Sequence, residues 1–383
     1  MVYWVRVVAF VLCLWAMPLG AQGSLDVVNW APTSGSGALW FDSLGGLKAA
    51  VGMINANNGI SGRNLTVSSL NIDEMSPNFL STLDARLTKP EVVGVVGGPT
   101  QVKAEEVADH LRRLNLPWLG PWSNERAMYR GEASDPFAVL PPWSYEITAL
   151  LQYVQAMHDA EPDRRGPVFL VYYNFPADQN MAAQARRNAE AMGLDLRRAP
   201  VNPDFADWPY LAEHVGSASA VIIWLAPGQS AAFARAVRSK NARTVFLTSS
   251  LNATNRNLVL LSNGAWNGTI FPAVVTPSRE IPEAYNALIR KYGPVGLEGN
   301  YQSYLGFAQG RLLARALNLG LESGSMDLRQ SLYKVNDFQT LFATPANYKP
   351  SRHAGGELFY LGRAYGDGFW EKAPMPYVIK EKY

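Results

Sequence analysis

Cysteine is almost missing from this chain. The 383 residues hold one, Cys13, inside an N-terminal apolar run. The chain beyond that run has no disulfide, no thiol nucleophile and no thiolate metal site. Histidine is scarce as well. His110, His158, His214 and His353 are the four, and no two stand at metal-ligand spacing. There is no H-E-x-x-H helix, no G-x-S-x-G elbow and no G-x-x-x-x-G-K-S/T loop. The turn Gly97-Gly98-Pro99 lacks the third glycine of a dinucleotide fingerprint. Asp73, Glu74 and Asp84 are scattered and read as solvated carboxylates rather than a catalytic pair. An enzyme is not expected, nor a metal or cofactor. Charge of one sign is also lacking: the formal net charge is +2, and it falls by one without Arg6. With no basic face, nucleic acid is not an expected partner. Past the N-terminal run, nothing approaches the roughly 20 apolar residues that a membrane-spanning helix needs.

The chain opens MVYWVRVVAFVLCLWAMPLGAQGS. Arg6 precedes an apolar run from Val7 to Met17, Pro18 ends it, and Ala21-Gln22-Gly23 supplies small residues around a cleavable bond. Residues 1–23 read as a secretory signal peptide, so export to the periplasm is expected.

Beyond the leader, short apolar runs alternate with helical patterns. LDVVNW (25–30) reads as a strand. FDSLGGLKAAVGMINANNG (41–59) reads as a helix, with Leu44, Leu47, Val51 and Ile54 on one side. Strands follow at 64–73 and 91–98, then a helix over 100–115 that Thr100 can cap, then the strand LPWLG. The pattern restarts after DPFAVLPPWS (135–144). Helices read at 144–157, 181–193 and 228–241, with strands at 167–173, 218–225 and 243–250. Two further helical stretches lie at 280–293 and 301–320, and 359–370 reads as a terminal hairpin. Such alternation predicts parallel sheets covered by helices on both faces. Open sheets of this kind bind ligands at the carboxyl ends of their strands. The loops after Trp30, Gly98, Leu119, Tyr173, Leu225 and Ser250 are therefore the ones to follow.

Three segments carry a resemblance. GGLKAAVGMINANNGISGRNLTVSSLNID, VVGVVGGPTQ and DFADWPYLAEHVGSASAVIIWLAPG occur in order along the chain. In them the sequence resembles the type I periplasmic binding proteins, the branched-chain amino-acid-binding family of ABC importers. The resemblance implies an α/β fold of two Rossmann-like lobes, each a mostly parallel sheet flanked by helices, joined by three hinge crossings near 137–143, 270–277 and 344–356. The N-terminal lobe would comprise 24–140 plus 274–350, and the C-terminal lobe 141–273 plus 351–383. A ligand would sit between the lobes. The loop positions implied for it are Pro99, Thr100, Gln101, Trp122 and Ser123 on the first lobe, and Phe175, Pro227, Ser249 and Ser250 on the second, with Tyr301 from a later segment. Trp30 adds an aromatic lip.

These residues also have simpler roles. Thr100 can be a helix cap, Ser249-Ser250 a polar turn, and Trp118 core. Trp122, past a strand end beside Pro121, reads as a cleft residue. One departure from the family stands out. Amino-acid-binding members hold the ligand ammonium with a carboxylate, whereas LAPGQS and TSSLNATN contain no acid. A buried ammonium without an anion is costly. Free leucine, isoleucine and valine are thus expected to bind poorly. The tryptophans instead suggest a bulky, largely apolar or aromatic ligand. A sterol- or hopanoid-like lipid is one such ligand, because sterol-binding relatives of this fold exist. The alternatives are a conventional amino-acid or aromatic-acid importer protein, or a sensory receptor of the same fold. The expected partners are a small-molecule or lipid ligand and a membrane transporter permease, and the protein is expected to be a monomer.

Overall fold

A computed structural model describes residues 23–33, 40–100, 102–123, 136–252, 256–277, 280–343, 345–351, 353, 359–365 and 370–372. Apart from Gly23, the leader lies outside them, as does Gln101.

Two separate sheets organise the molecule. The first is parallel, in the order β2 (Leu65–Leu70), β1 (Leu25–Trp30), β3 (Val92–Val96), β4 (Trp118–Leu119). Its central strand LDVVNW is buried at every residue, as a strand covered on both faces must be. Asp26 is the acid in that strand. It is accommodated by Arg86 at 2.8 Å and by the hydroxyl of Thr66. Helices α1 (Phe41–Ala56), α2 (Phe79–Leu87) and α3 (Ala104–Arg113) connect these strands.

The second sheet has seven strands. β5 (Val168–Tyr173), β6 (Leu196–Val201), β7 (Ala220–Trp224), β8 (Val245–Thr248) and β9 (Ile270–Ala273) are parallel. β10 (Tyr360–Ala364) and β11 (Trp370–Lys372) add to the β9 edge as antiparallel strands. The helices of this lobe are α4 (Trp143–Ala160), α5 (Pro176–Ala191), α6 (Trp208–His214), α7 (Pro227–Lys240) and α8 (Arg256–Leu261). Pro at the first helical position opens α5 and α7 directly from strand ends, where its missing N–H costs nothing.

The chain passes between the lobes three times. Phe137 first forms a single parallel bridge to Leu119 at the edge of the first sheet, with Gly120 N donating to Phe137 O at 2.7 Å. It then enters α4. After β9, Val274–Thr276 lead back to the first lobe, where α9 (Glu283–Tyr292), α10 (Tyr301–Glu322) and α11 (Leu328–Leu332) follow. The third passage pairs with the second: Ala343 N donates to Val274 O at 2.7 Å and Thr276 N to Leu341 O at 2.8 Å. It also meets the first, as Ala138 N donates to His353 O at 2.9 Å.

Contact between α1 and α10 holds the late segment onto the first lobe, and glycine makes it possible. A Cβ on Gly46 would lie 1.8 Å from Ser303 O, and one on Gly306 would lie 1.8 Å from Ser43 O. The backbones touch, so neither position can hold a methyl group without moving a helix. Gly306→Ala is therefore expected to lower stability by about 1–3 kcal/mol or more through overpacking. Gly228→Ala, with nothing within 4 Å of the added carbon, should leave stability unchanged or raise it. Urea unfolding of both variants checks the pair.

Candidate functional site

The first lobe offers the loops that follow β1, β3 and β4. Gly97 and Gly98 both have positive φ, 69° and 87°. The reason lies beside them. A Cβ on Gly97 would meet the Trp122 ring at 2.7 Å, and one on Gly98 would meet the Trp30 ring at 2.6 Å. Indole groups thus press against bare backbone. They also bond to it and around it. Trp30 Nε1 donates to Pro99 O at 2.8 Å and Trp118 Nε1 to Gly97 O at 2.6 Å. Trp122 Nε1 donates to Gln309 Oε1 at 3.0 Å, and Gln309 Nε2 donates to Gly120 O at 3.0 Å.

This arrangement changes the reading of the tryptophans. Trp122 is fully buried and stacks on Trp40, with centroids 5.2 Å apart and planes 7° from parallel. Trp30 is equally buried and packs on Phe79 and Trp118. With faces covered and N–H groups taken by protein, these rings brace the loops from behind. They no longer argue for an apolar ligand. The cap expected from Thr100 is also absent. Helix α3 begins four residues later, after Lys103, and Glu74 Oε2 accepts the N–H groups of Val102 and Lys103 at 3.1 and 2.9 Å. Glu74 therefore takes the capping role. The Thr100 hydroxyl is left buried with no hydrogen-bond partner among the described residues, next to the Pro99–Trp122 bridge that runs on into buried Ser123.

The second lobe offers the loops after β5, β7 and β8. Phe175 flanks α5 with its ring 5.8 Å from that of Tyr173. The Tyr173 hydroxyl accepts from Ala226 N at 2.9 Å and donates to Gln229 Oε1, which ties two of the loops together. Pro227 is buried as the first residue of α7. Ser249 and Ser250 are buried at the end of β8, and Asn252 Nδ2 donates to Leu225 O at 2.6 Å. Tyr301 lies fully buried at the start of α10, and its hydroxyl accepts from Val274 N at 3.2 Å, within the second passage between lobes. Burial pushes its phenol pKa up. The next residue, Gln302, joins the lobes: its Nε2 donates to Leu251 O at 3.3 Å and its Oε1 accepts from Ser43 Oγ at 2.9 Å.

Pro99, Thr100, Trp122 and Ser123 are thus brought together on one lobe. Phe175, Pro227, Ser249 and Ser250 lie along the strand ends of the other, with Tyr301 at the passage between them. The loops contain no acid, yet two helices bring carboxylates to the second lobe's edge. Glu146, in the first turn of α4, is fully buried and accepts from Ser250 N at 3.1 Å and from Ser250 Oγ. Asp178, in the first turn of α5, is half-buried, and burial raises its carboxyl pKa from 3.8 to about 7. One sequence signal for Glu146 existed: it stands with Ile147, Leu150, Leu151 and Val154 on the buried side of its helix. An acid on such a stripe needs a reason. Among the described residues, no group of three or more His, Cys, Asp or Glu could hold a metal ion, and no helix is long and apolar enough to cross a membrane.

A family model described as a periplasmic binding protein matches residues 27–368. Solved structures share the fold. A branched-chain amino acid ABC transporter protein from Thermus thermophilus with bound valine is 16% identical, with a TM-score of 0.79 over 94% of this chain and 98% of that one. A fatty acid ABC transporter substrate-binding protein from Thermomonospora curvata is 15% identical, with a TM-score of 0.77 over 94% and 93%. A solute-binding protein of an ABC transporter from Rhodopseudomonas palustris, in complex with p-hydroxybenzoic acid, is 15% identical, with a TM-score of 0.73 over 92% and 96%. No curated protein matches the chain.

Two outcomes follow from the geometry. Trp122→Ala should cost about 3–5 kcal/mol of stability, the usual loss for a buried Trp, as read by denaturant unfolding. Asp178 should give the unliganded protein a pH dependence. Because its folded pKa is raised, its contribution is fully present below about pH 4 and is lost as pH rises through about 7. Unfolding midpoints of wild type and Asp178→Asn, compared from pH 4 to 8, should converge at the acid end. The variant should be the more stable one at pH 8.

Proposed function

The chain belongs to the periplasmic binding protein family, and from that footing we propose that it is an exported receptor for an organic acid with an apolar or aromatic body. It would enclose this ligand between its lobes and deliver it to a membrane permease. Members of this family bind solutes rather than transform them. The carrying observation is the Thr100 hydroxyl, buried and unpartnered at the ligand-side edge of the first lobe. An orphaned buried hydroxyl costs about 1–3 kcal/mol, and a carboxylate accepting from it would remove that cost.

The neighbours' ligands agree in one respect. Valine, a fatty acid and p-hydroxybenzoic acid all carry a carboxyl group. A neutral sterol- or hopanoid-like lipid has lost its main support, because the tryptophans that suggested it are braced inside the first lobe. An apolar body remains in keeping with Phe175 and Pro227 on the opposite edge. Export itself rests on the leader at 1–23.

Thermal unfolding with a panel of benzoates, long-chain fatty acids, free leucine and cholesterol tests the proposal. At a hundredfold excess over Kd, a ligand stabilises by about 2.7 kcal/mol, which is readily seen. At least one acid should raise the midpoint and cholesterol should not. A response to cholesterol alone would overturn the proposal.

A further inference from the structure

Several donors along the second lobe's edge are already in use. Tyr173 gives its hydroxyl proton to Gln229, and Ala226 gives its N–H to Tyr173. Asn252 Nδ2 is bonded to Leu225 O at 2.6 Å. Ser250 spends both of its protons on Glu146, the N–H at 3.1 Å and the hydroxyl on the other carboxylate oxygen. A hydroxyl has one proton and two lone pairs. Once that proton points at Glu146, Ser250 Oγ can only accept from any third group. The same bonds are charge-assisted, so they are stronger than neutral ones and hold the rotor in place. Asp178 adds a half-buried carboxyl group to this edge. On the first lobe's edge the Thr100 hydroxyl still has its proton to give, and Asn29 Oδ1 is a buried acceptor without a partner among the described residues.

The loop that carries Ser250 is also fixed to the other lobe. Leu251 O takes the amide of Gln302, and Gln302 takes the hydroxyl of Ser43. Ser250 is therefore placed beside the passage between lobes, not on an outer surface.

Resting on the organic-acid reading of the cleft, we infer that Glu146 is a positioning residue that makes the Ser250 hydroxyl, at the second lobe's end of the cleft, a hydrogen-bond acceptor. The ligand it selects is an organic acid carrying an O–H or N–H donor away from its carboxylate, such as a hydroxylated aromatic or long-chain acid. Glu146 does not touch that ligand. It acts through the orientation of the Ser250 hydroxyl.

Matched pairs of probes read this directly: p-hydroxybenzoate against p-methoxybenzoate, and an ω-hydroxylated long-chain acid against its unsubstituted parent. By calorimetry the hydroxylated member of at least one pair should bind wild type about tenfold more tightly or better, which corresponds to one hydrogen bond of ordinary strength. In Glu146→Gln the new amide can donate to Ser250 Oγ and free its proton, so the preference should fall to near one or reverse. Ser250→Ala keeps the N–H bond to Glu146 and should lose the preference as well. It serves if the Gln variant does not fold. A role for Glu146 in fold alone would move the unfolding midpoint and leave the ratio of affinities unchanged, and that unchanged ratio in a folded variant overturns the inference. Binding of both members of each pair with equal affinity by wild type overturns it too, while leaving the organic-acid reading in place. Failure of all four acids to bind overturns both.

Discussion

Three indole N–H groups hold the strand-end loops of the first lobe. Each of Trp30, Trp118 and Trp122 places a flat apolar face against neighbouring rings and spends its one polar hydrogen on a loop carbonyl or on Gln309. The loop between Gly97 and Pro99 can lie against them only because it has no Cβ at two successive positions. This constraint sets what is left for a ligand. The rings are used up, and the buried polar atoms left there without a partner, among the described residues, are the Thr100 hydroxyl and Asn29 Oδ1. An edge that first suggests hydrophobic capture therefore leaves polar groups, not rings, without partners.

The second lobe solves a different problem. Parallel strands end in loops whose polar groups must be satisfied when the lobes meet. Here they are satisfied mostly by one another, with Glu146 and Gln302 contributing from helices. A buried carboxylate is retained only where donors surround it. Its presence at Ser250 gives that hydroxyl a fixed direction, which a neutral side chain would not impose. The three passages between lobes then keep the two edges in register. An aromatic cluster joins two of them, with His353 stacked on Phe137 at 4.4 Å and bonded to Tyr333 through Nε2 at 2.7 Å.

Much of the architecture is legible in the chain, because burial on both faces leaves runs such as LDVVNW that no other structure uses well. The two-lobed plan comes from the restart after DPFAVLPPWS and from the family resemblance. Strand β6 is hidden for a physical reason. LRRAPV sits at a sheet edge, where only Ala199 and Val201 are buried, so arginines and a proline are tolerated. The site is legible in its loops and not in its chemistry. Trp122 stands after a strand end, yet the stacking partner Trp40 and the acceptor Gln309 lie far away in sequence. Thr100 has the right residue type for a cap, but Glu74, from another loop, takes that task. The carboxylate missing from the loops comes from helices instead. Long-range pairings of this sort leave no local pattern.

On the reading proposed above, the cleft takes an acid with a distal donor and not a neutral lipid. The most direct measurement is native mass spectrometry of freshly purified protein, followed by extraction and identification of any co-purified small molecule. A hydroxylated or aminated organic acid, released on unfolding, is the predicted result. A neutral sterol- or hopanoid-like lipid in that extract would contradict it.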